Sequence, residues 1–214
     1  MDLSDIDRFA ALAAIMGVWM AGVTRIHSLV WFLAVQTAVL GVVTALIGVG
    51  HSSPHYFVLA AAVIGIKALG IPWFLDHTAI RVCVQRDGGA MLNPTIAFLA
   101  AIGALAAGHF LASHVAPLHA ASPGAAGMAI CLIAVGMLLM LTRRLAISQV
   151  IGFLVLENGI YLYALTQTRG IPLMVEMGIV LDVLVGVMIA GVVIFRLNRS
   201  FEHIDVTQLR GLRE

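Results

Sequence analysis

The chain has 214 residues, of which 61% are hydrophobic and 11% charged, and its mean hydropathy is +1.04. Soluble globular domains are roughly 45–50% apolar and about 25% charged, so this composition predicts an integral membrane protein. The formal net charge is +1, and no acidic or basic block occurs, which argues against a nucleic-acid partner. The two cysteines lack any metal-ligand spacing, so neither a metal site nor a disulfide framework is expected.

A membrane-spanning helix needs about 20 mostly apolar residues, and seven stretches of this sequence reach or approach that length. In chain order, the predicted spans are Arg8–Val23, His27–Val49, His55–Leu75, Pro94–Ser113, Gly124–Leu141, Ser148–Gln167 and Pro172–Leu197. Turn-forming residues and arginines separate them, as at Ser52-Ser53-Pro54. The predicted fold class is all-α: a polytopic transmembrane helical bundle of about seven spans.

The predicted spans fall into two regions and a tail. Residues 1–123 form a four-span region, residues 124–200 a three-span region, and residues 201–214 a polar tail. Within the first region, residues 76–89 mix charges with a few apolar side chains. This pattern favours a short interfacial helix lying on the cytoplasmic face of the membrane.

The arginines predict the orientation of the bundle, because cytoplasmic loops carry an excess of Lys and Arg. Nine arginines fall on one predicted side: Arg25, Arg81, Arg86, Arg143, Arg144, Arg196, Arg199, Arg210 and Arg213. Only Arg8 and Arg169 fall on the other. We therefore expect a multi-pass protein of the inner (cytoplasmic) membrane, with the N-terminus outside and the C-terminus in the cytoplasm.

Four ionisable residues lie within the predicted spans: Lys67, Glu157, Glu176 and Asp182. Such groups cost about 2.5–3.5 kcal/mol at a helix centre, so each is a functional hypothesis by default. Glu157 and Asp182 lie equally far from the turn at Arg169-Gly170, about 18 Å at 1.5 Å per residue. Lys67 reaches the same level, and Glu176 lies nearer the outer surface. This layer of titratable groups is typical of a proton relay.

Asp182 is predicted to face protein. Gly178, Asp182, Gly186 and Ala190 recur every fourth residue, and stripes of small residues mark close contacts between membrane helices. Asp182 is therefore expected to point at a neighbouring helix rather than at lipid.

Glu157 has polar neighbours on its own span. Tyr161 lies one turn away and is expected to donate a hydrogen bond or hold a water, and Asn158 supplies a second polar group. Gly152 and Gly159 are predicted points of backbone bending. With Lys67 within reach, the Glu157 carboxylate is expected to alternate between an ion-paired base and a neutral acid. The structural alternative is a buried pair that only sets helix register.

No phosphate-binding loop, nucleophile elbow or haem-attachment motif occurs in the sequence. No catalytic centre for bond chemistry and no metal or cofactor site of its own is therefore expected.

The final third of the chain resembles a known subunit. The segments RRLAISQVIGFLVLENGIYLYAL, VEMGIVLDVLVG and EHIDVTQLRG are similar to the small K subunit of bacterial complex I, which has three spans and two functional intramembrane glutamates. The whole chain resembles the E component of hydrogenase-4 and of formate-hydrogenlyase-type membrane arms. By this resemblance the first glutamate maps onto Glu157, which lies one turn after the matching position at Leu154, and the second falls on Asp182. Lys67 has no counterpart.

The resemblance implies a proton-translocating membrane subunit of a group 4 hydrogenase-like or complex-I-like respiratory complex. Its partners would be antiporter-like and other membrane-arm subunits, and nickel-iron and iron-sulfur centres would lie in partner subunits only. Two alternatives stay open. One is a subunit of a multi-subunit cation/proton antiporter, whose C-type component also resembles the K subunit. The other is a structural assembly subunit of such a membrane arm.

Overall fold

The computed structural model describes residues 3–51, 54–81, 86–87, 91–115 and 123–167, together with Gly178 and Gly186. Its helices are α1 (Leu3–Gly22), α2 (Ile26–His51), α3 (Pro54–Ala62), a π-helix (Val63–Gly70), α4 (Ile71–Arg81), α5 (Pro94–Val115), α6 (Pro123–Thr142) and α7 (Ala146–Gln167). Within these residues the only β pairing is an isolated antiparallel bridge between Arg25 and Arg86. The predicted all-α class is confirmed.

Five helical segments of the described chain are long and apolar enough to cross a bilayer. They are Ile26–Val49, Tyr56–Ile80, Pro94–Ala112, Gly124–Thr142 and Ala146–Thr166. The chain is therefore a multi-pass membrane protein. The predicted seventh span, Pro172–Leu197, lies outside the described residues except for Gly178 and Gly186, which are both helical.

Helix α1 was predicted to be a span, but it is not one of these five segments. Asp5, Asp7 and Arg8 occupy its first turns, and the apolar stretch that remains is short for a bilayer crossing. Ala13 and Ala14 are fully buried, and α1 packs against α2, α5 and α6. Small side chains thus let α1 lie close to the bundle.

The third predicted span is longer than the sequence suggested. Helix α3, the π-helix and α4 follow one another without a break, and we call this unit the composite helix. It ends at Arg81 instead of at Leu75, so the first part of the predicted interfacial segment 76–89 continues a membrane helix. No Gly or Pro interrupts residues 76–81, and the Asp76 carboxylate lies 2.8 Å from His27 Nδ1 on α2. That contact joins α4, the last part of the composite helix, to the start of α2.

The π-helix has a local cause in the sequence. Pro72 has no backbone N–H, and in α register its ring would collide with the carbonyl of Ala68. The wider π turn relieves that collision. The N–H of Ile71, the residue between the π-helix and Pro72, bonds to the carbonyl of Ile66, five residues earlier. The composite helix therefore changes register just before its proline.

One apolar core joins the helices. Buried side chains from α1, α2, α4, α5, α6 and α7 belong to a single cluster, so helices of both predicted regions share it. The division of the chain near residue 123 stays a prediction.

Candidate functional site: a buried ion pair and its polar surroundings

Lys67 and Glu157 form an ion pair inside the bundle. Lys67 Nζ lies 2.7 Å from Glu157 Oε1, and the two side chains are 9% and 4% exposed. Lys67 comes from the middle of the π-helix and Glu157 from the middle of α7. Water does not solvate charges at this depth, so each group depends on the other for stabilisation.

The π-helix determines the direction of Lys67. Val63 and Lys67 are buried on its inner side, whereas Ile66 and Leu69 are exposed. The widened turn therefore points the ammonium group into the bundle and leaves the apolar side chains toward lipid. Single π turns inside membrane helices are often found at functional sites, and here the turn carries a charged residue.

Glycines bring α6 and α7 into backbone contact beside Glu157. A methyl group on Gly136 would collide with the backbone of Leu156, and one on Gly159 would lie 2.7 Å from the amide nitrogen of Ile133. A methyl group on Gly152 would lie 2.9 Å from α6 atoms in the same way. Backbone bends were predicted at Gly152 and Gly159, whereas in the structure both glycines pack closely against α6. This packing restricts the rotation of α7 about its axis.

Asn158 links three helices through hydrogen bonds. Its Nδ2 donates to Thr37 Oγ1 at 2.9 Å and to Gln36 Oε1 at 3.2 Å, both on α2. Gln36 Nε2 in turn donates to the carbonyl of Ala13 on α1 at 2.9 Å. Asn158 was predicted as a polar neighbour of Glu157, but Gln36 and Thr37 were missed because the prediction considered only polar groups on the same span as Glu157. Two adjacent polar residues in an otherwise apolar helix were the available signal.

Tyr161 pairs with α2. Its hydroxyl lies 2.7 Å from Thr44 Oγ1, and Thr44 donates its own hydrogen to the carbonyl of Leu40 at 2.8 Å. Tyr161 is therefore the donor in this contact. Tyr161 was predicted to donate a hydrogen bond or hold a water, and in the structure its hydroxyl donates to Thr44.

The other two predicted relay carboxylates, Glu176 and Asp182, lie outside the described residues. Gly178 lies between them in sequence, and a methyl group placed on it would be 3.7 Å from Glu157 Oε1. Gly178 is therefore a direct neighbour of the ion pair.

These observations define a class: a multi-pass helical membrane protein with a buried, titratable ion pair and a set of amide and hydroxyl contacts on the adjoining helices. Comparison with known proteins narrows this class. The uncharacterized protein Rv0085 of Mycobacterium tuberculosis is 32% identical over 208 residues, which cover 95% of this chain and 92% of that protein. The chain belongs to the same family as Rv0085.

A more distant similarity also covers the whole chain. Hydrogenase-4 component E of Escherichia coli and that of Shigella flexneri are each 22% identical to it over 209 residues, 97% of both partners in each comparison. No protein-family model matches the chain, and no solved structure is similar to it.

Proposed function

We propose that the chain is a proton-translocating membrane subunit of a group 4 hydrogenase-like or complex-I-like respiratory complex. The full-length similarity to hydrogenase-4 component E supports membership of such an assembly. The buried Lys67–Glu157 pair is the single observation that carries the proton role. In this proposal antiporter-like and other membrane subunits adjoin the chain, and the nickel-iron and iron-sulfur centres belong to partner subunits.

The proposed topology retains seven spans in the inner (cytoplasmic) membrane, with the N-terminus outside and the C-terminus in the cytoplasm. Helix α1 would complete the first crossing, and the predicted span Pro172–Leu197 would form the last. The arginines on the connections between helices support the orientation.

Glu157 is the central relay group in this proposal. A proton that reaches its carboxylate forms an O–H bond, neutralises the acid and removes the attraction to Lys67. The Lys67 ammonium has then lost the negative charge that Glu157 supplied, which favours transfer of the proton onward and restoration of the ion pair. Asp182 is the proposed next acceptor, because Gly178 adjoins Glu157 and Asp182 follows Gly178 by four residues, which is about one turn if the predicted span is helical there. Glu176 would then connect the relay to the outer aqueous side.

Replacing Glu157 with Gln tests the proposal. The amide keeps the shape of the side chain and can still accept a hydrogen bond from Lys67, but it cannot carry a proton. We expect normal amounts of complex and a proton translocation rate in membrane vesicles reduced at least about tenfold. Asp76→Asn is the matched control, since that acid lies midway along α4, is partly exposed and pairs with exposed His27. Unchanged translocation by Glu157→Gln would contradict the relay.

A structural role is the second candidate, and the hydrogen bonds that tie Asn158 to α2 favour it. If the pair only locks helices together, Glu157→Gln lowers the amount of complex but leaves turnover per remaining complex unchanged. The same vesicles distinguish the antiporter alternative, for which pH gradients would depend on sodium and no hydrogenase subunit would co-purify.

A further inference from the structure

Arg143 closes the carbonyl end of α1. It lies between α6 and α7, is 3% exposed, and directs one guanidinium nitrogen at α1. This atom, Nη2, donates to the carbonyls of Val23 at 2.8 Å, Ala21 at 3.0 Å and Met20 at 3.4 Å. The last carbonyls of a helix have no partners within it, and the helix dipole places negative charge there. A cation from the connection between α6 and α7 therefore satisfies the end of α1.

Asp87 is inserted beside Arg143. Its N–H donates to the carbonyl of Thr24 at 2.9 Å, and the N–H of Met91 donates to the carbonyl of Thr142 at 2.8 Å. These two bonds tie Asp87 to the residues that follow α1, and Met91 to the carbonyl end of α6. Asp87 is 1% exposed. We call this end of the bundle, which carries Arg25, Arg86, Arg143 and Arg144, the arginine-rich end.

Three buried polar groups at this end have no hydrogen-bond partner within the part of the chain that the structure describes. They are both carboxylate oxygens of Asp87, Nη1 of Arg143 and Oγ of Ser148, which is 2% exposed in the first turn of α7. Buried polar atoms that lack protein partners are normally hydrogen-bonded to ordered water. Capping of α1 uses only Nη2 of Arg143, so it does not explain why a carboxylate is buried here.

The electrostatic setting couples the acid to the guanidinium. Burial lowers the pKa of Arg143, and the negative charge of Asp87 raises it again. Arg25, Arg86 and Arg144 are exposed and line the same end. A buried carboxylate is thus placed close to bulk water, with a cation beside it.

We propose that Asp87, Arg143 and Ser148 form a buried water-binding site, and that Asp87 there takes up the protons that Glu157 relays. This inference rests on the proposed function. A hydronium ion in bulk water gives its proton to the Asp87 carboxylate, which forms a carboxyl O–H and leaves water. That O–H bond then breaks, the proton passes through bound water along α7, and the Glu157 carboxylate receives it while Asp87 regains its charge. Ser148 lies on this route, about 14 Å before Glu157 along the helix axis.

Asp87→Asn tests the proposal in the assembled complex, in vesicles whose arginine-rich end faces the medium. We expect normal amounts of complex and proton uptake slowed at least about tenfold at neutral pH. Asp87→Glu should restore the rate, and Asp76→Asn should leave it unchanged.

A wild-type rate of proton uptake in Asp87→Asn would overturn the proposal. If the Asn variant does not assemble, Ser148→Ala decides: slower uptake supports the site, and an unchanged rate refutes it. Failure here is distinguishable from failure of the proposed function. Slow proton uptake in Glu157→Gln together with normal uptake in Asp87→Asn would refute only the entry site at Asp87. Normal uptake in Glu157→Gln would refute the relay itself.

Discussion

Replacing Lys67 with Met should destabilise the protein more strongly than replacing both members of the ion pair. Lys67→Met keeps most of the side-chain volume and removes the charge, so Glu157 is left in the bundle without its cation. The double variant Lys67→Met/Glu157→Met removes both charges and fills the space with apolar groups. The double variant therefore measures the net contribution of the ion pair to stability, and the single variant measures the loss of stability when one charge stays buried without the other.

The structure sets the size of the effect. At 2.7 Å and an effective dielectric constant of about 20, two unit charges attract by about 6 kcal/mol. Removing both ions from water costs several kcal/mol for each, which offsets most of that attraction. The single variant loses the attraction but keeps the burial cost of Glu157, and we expect a loss of about 3–5 kcal/mol of stability. The double variant should lie within about 1 kcal/mol of wild type or be more stable.

Thermal unfolding of the detergent-solubilised full-length chain, followed by helical circular dichroism, measures both variants. Glu157→Met alone completes the double-mutant cycle. A Lys67→Met variant as stable as wild type would show that the pair is solvated and not buried. A double variant that loses the sum of the two single losses would show that the residues do not interact, and it would refute the argument from burial.

Two further predictions concern packing around the pair. Gly136→Ala should lower stability in the same thermal assay by about 1–3 kcal/mol, because the added methyl group meets backbone that cannot move without separating α6 from α7. Gly103→Ala on α5 is the matched control, because nothing lies within 4 Å of the new methyl group. This variant should be as stable as wild type or more stable by up to about 1 kcal/mol. Equal losses of stability in the two variants would contradict the packing argument. Asn158→Leu removes the donor that Gln36 and Thr37 share. It should lower stability by about 0.6–1.7 kcal/mol, the range for hydrogen bonds between membrane helices. Unchanged stability would show that these bonds contribute nothing.

Much of the architecture was predictable from the sequence because hydropathy is a local property. The predicted spans at His27–Val49, Pro94–Ser113, Gly124–Leu141 and Ser148–Gln167 agree closely with helices of the structure. Predictions failed where a polar residue was taken as the end of a helix. Asp76 is an example: it continues α4 because its carboxylate finds His27 on a neighbouring helix.

Sequence alone determined that this is a membrane protein, and it placed Lys67 and Glu157 at similar depth, because helical rise converts residue number into height. Only the tertiary structure decided which way these charges point. The π register turns Lys67 inward, and the glycine contacts between α6 and α7 restrict the rotation of the helix that carries Glu157. Asp87 acts electrostatically on Arg143, which lies far from it in the sequence. Rotation of one helix against another depends on packing between residues far apart in sequence, which no local pattern of residues specifies.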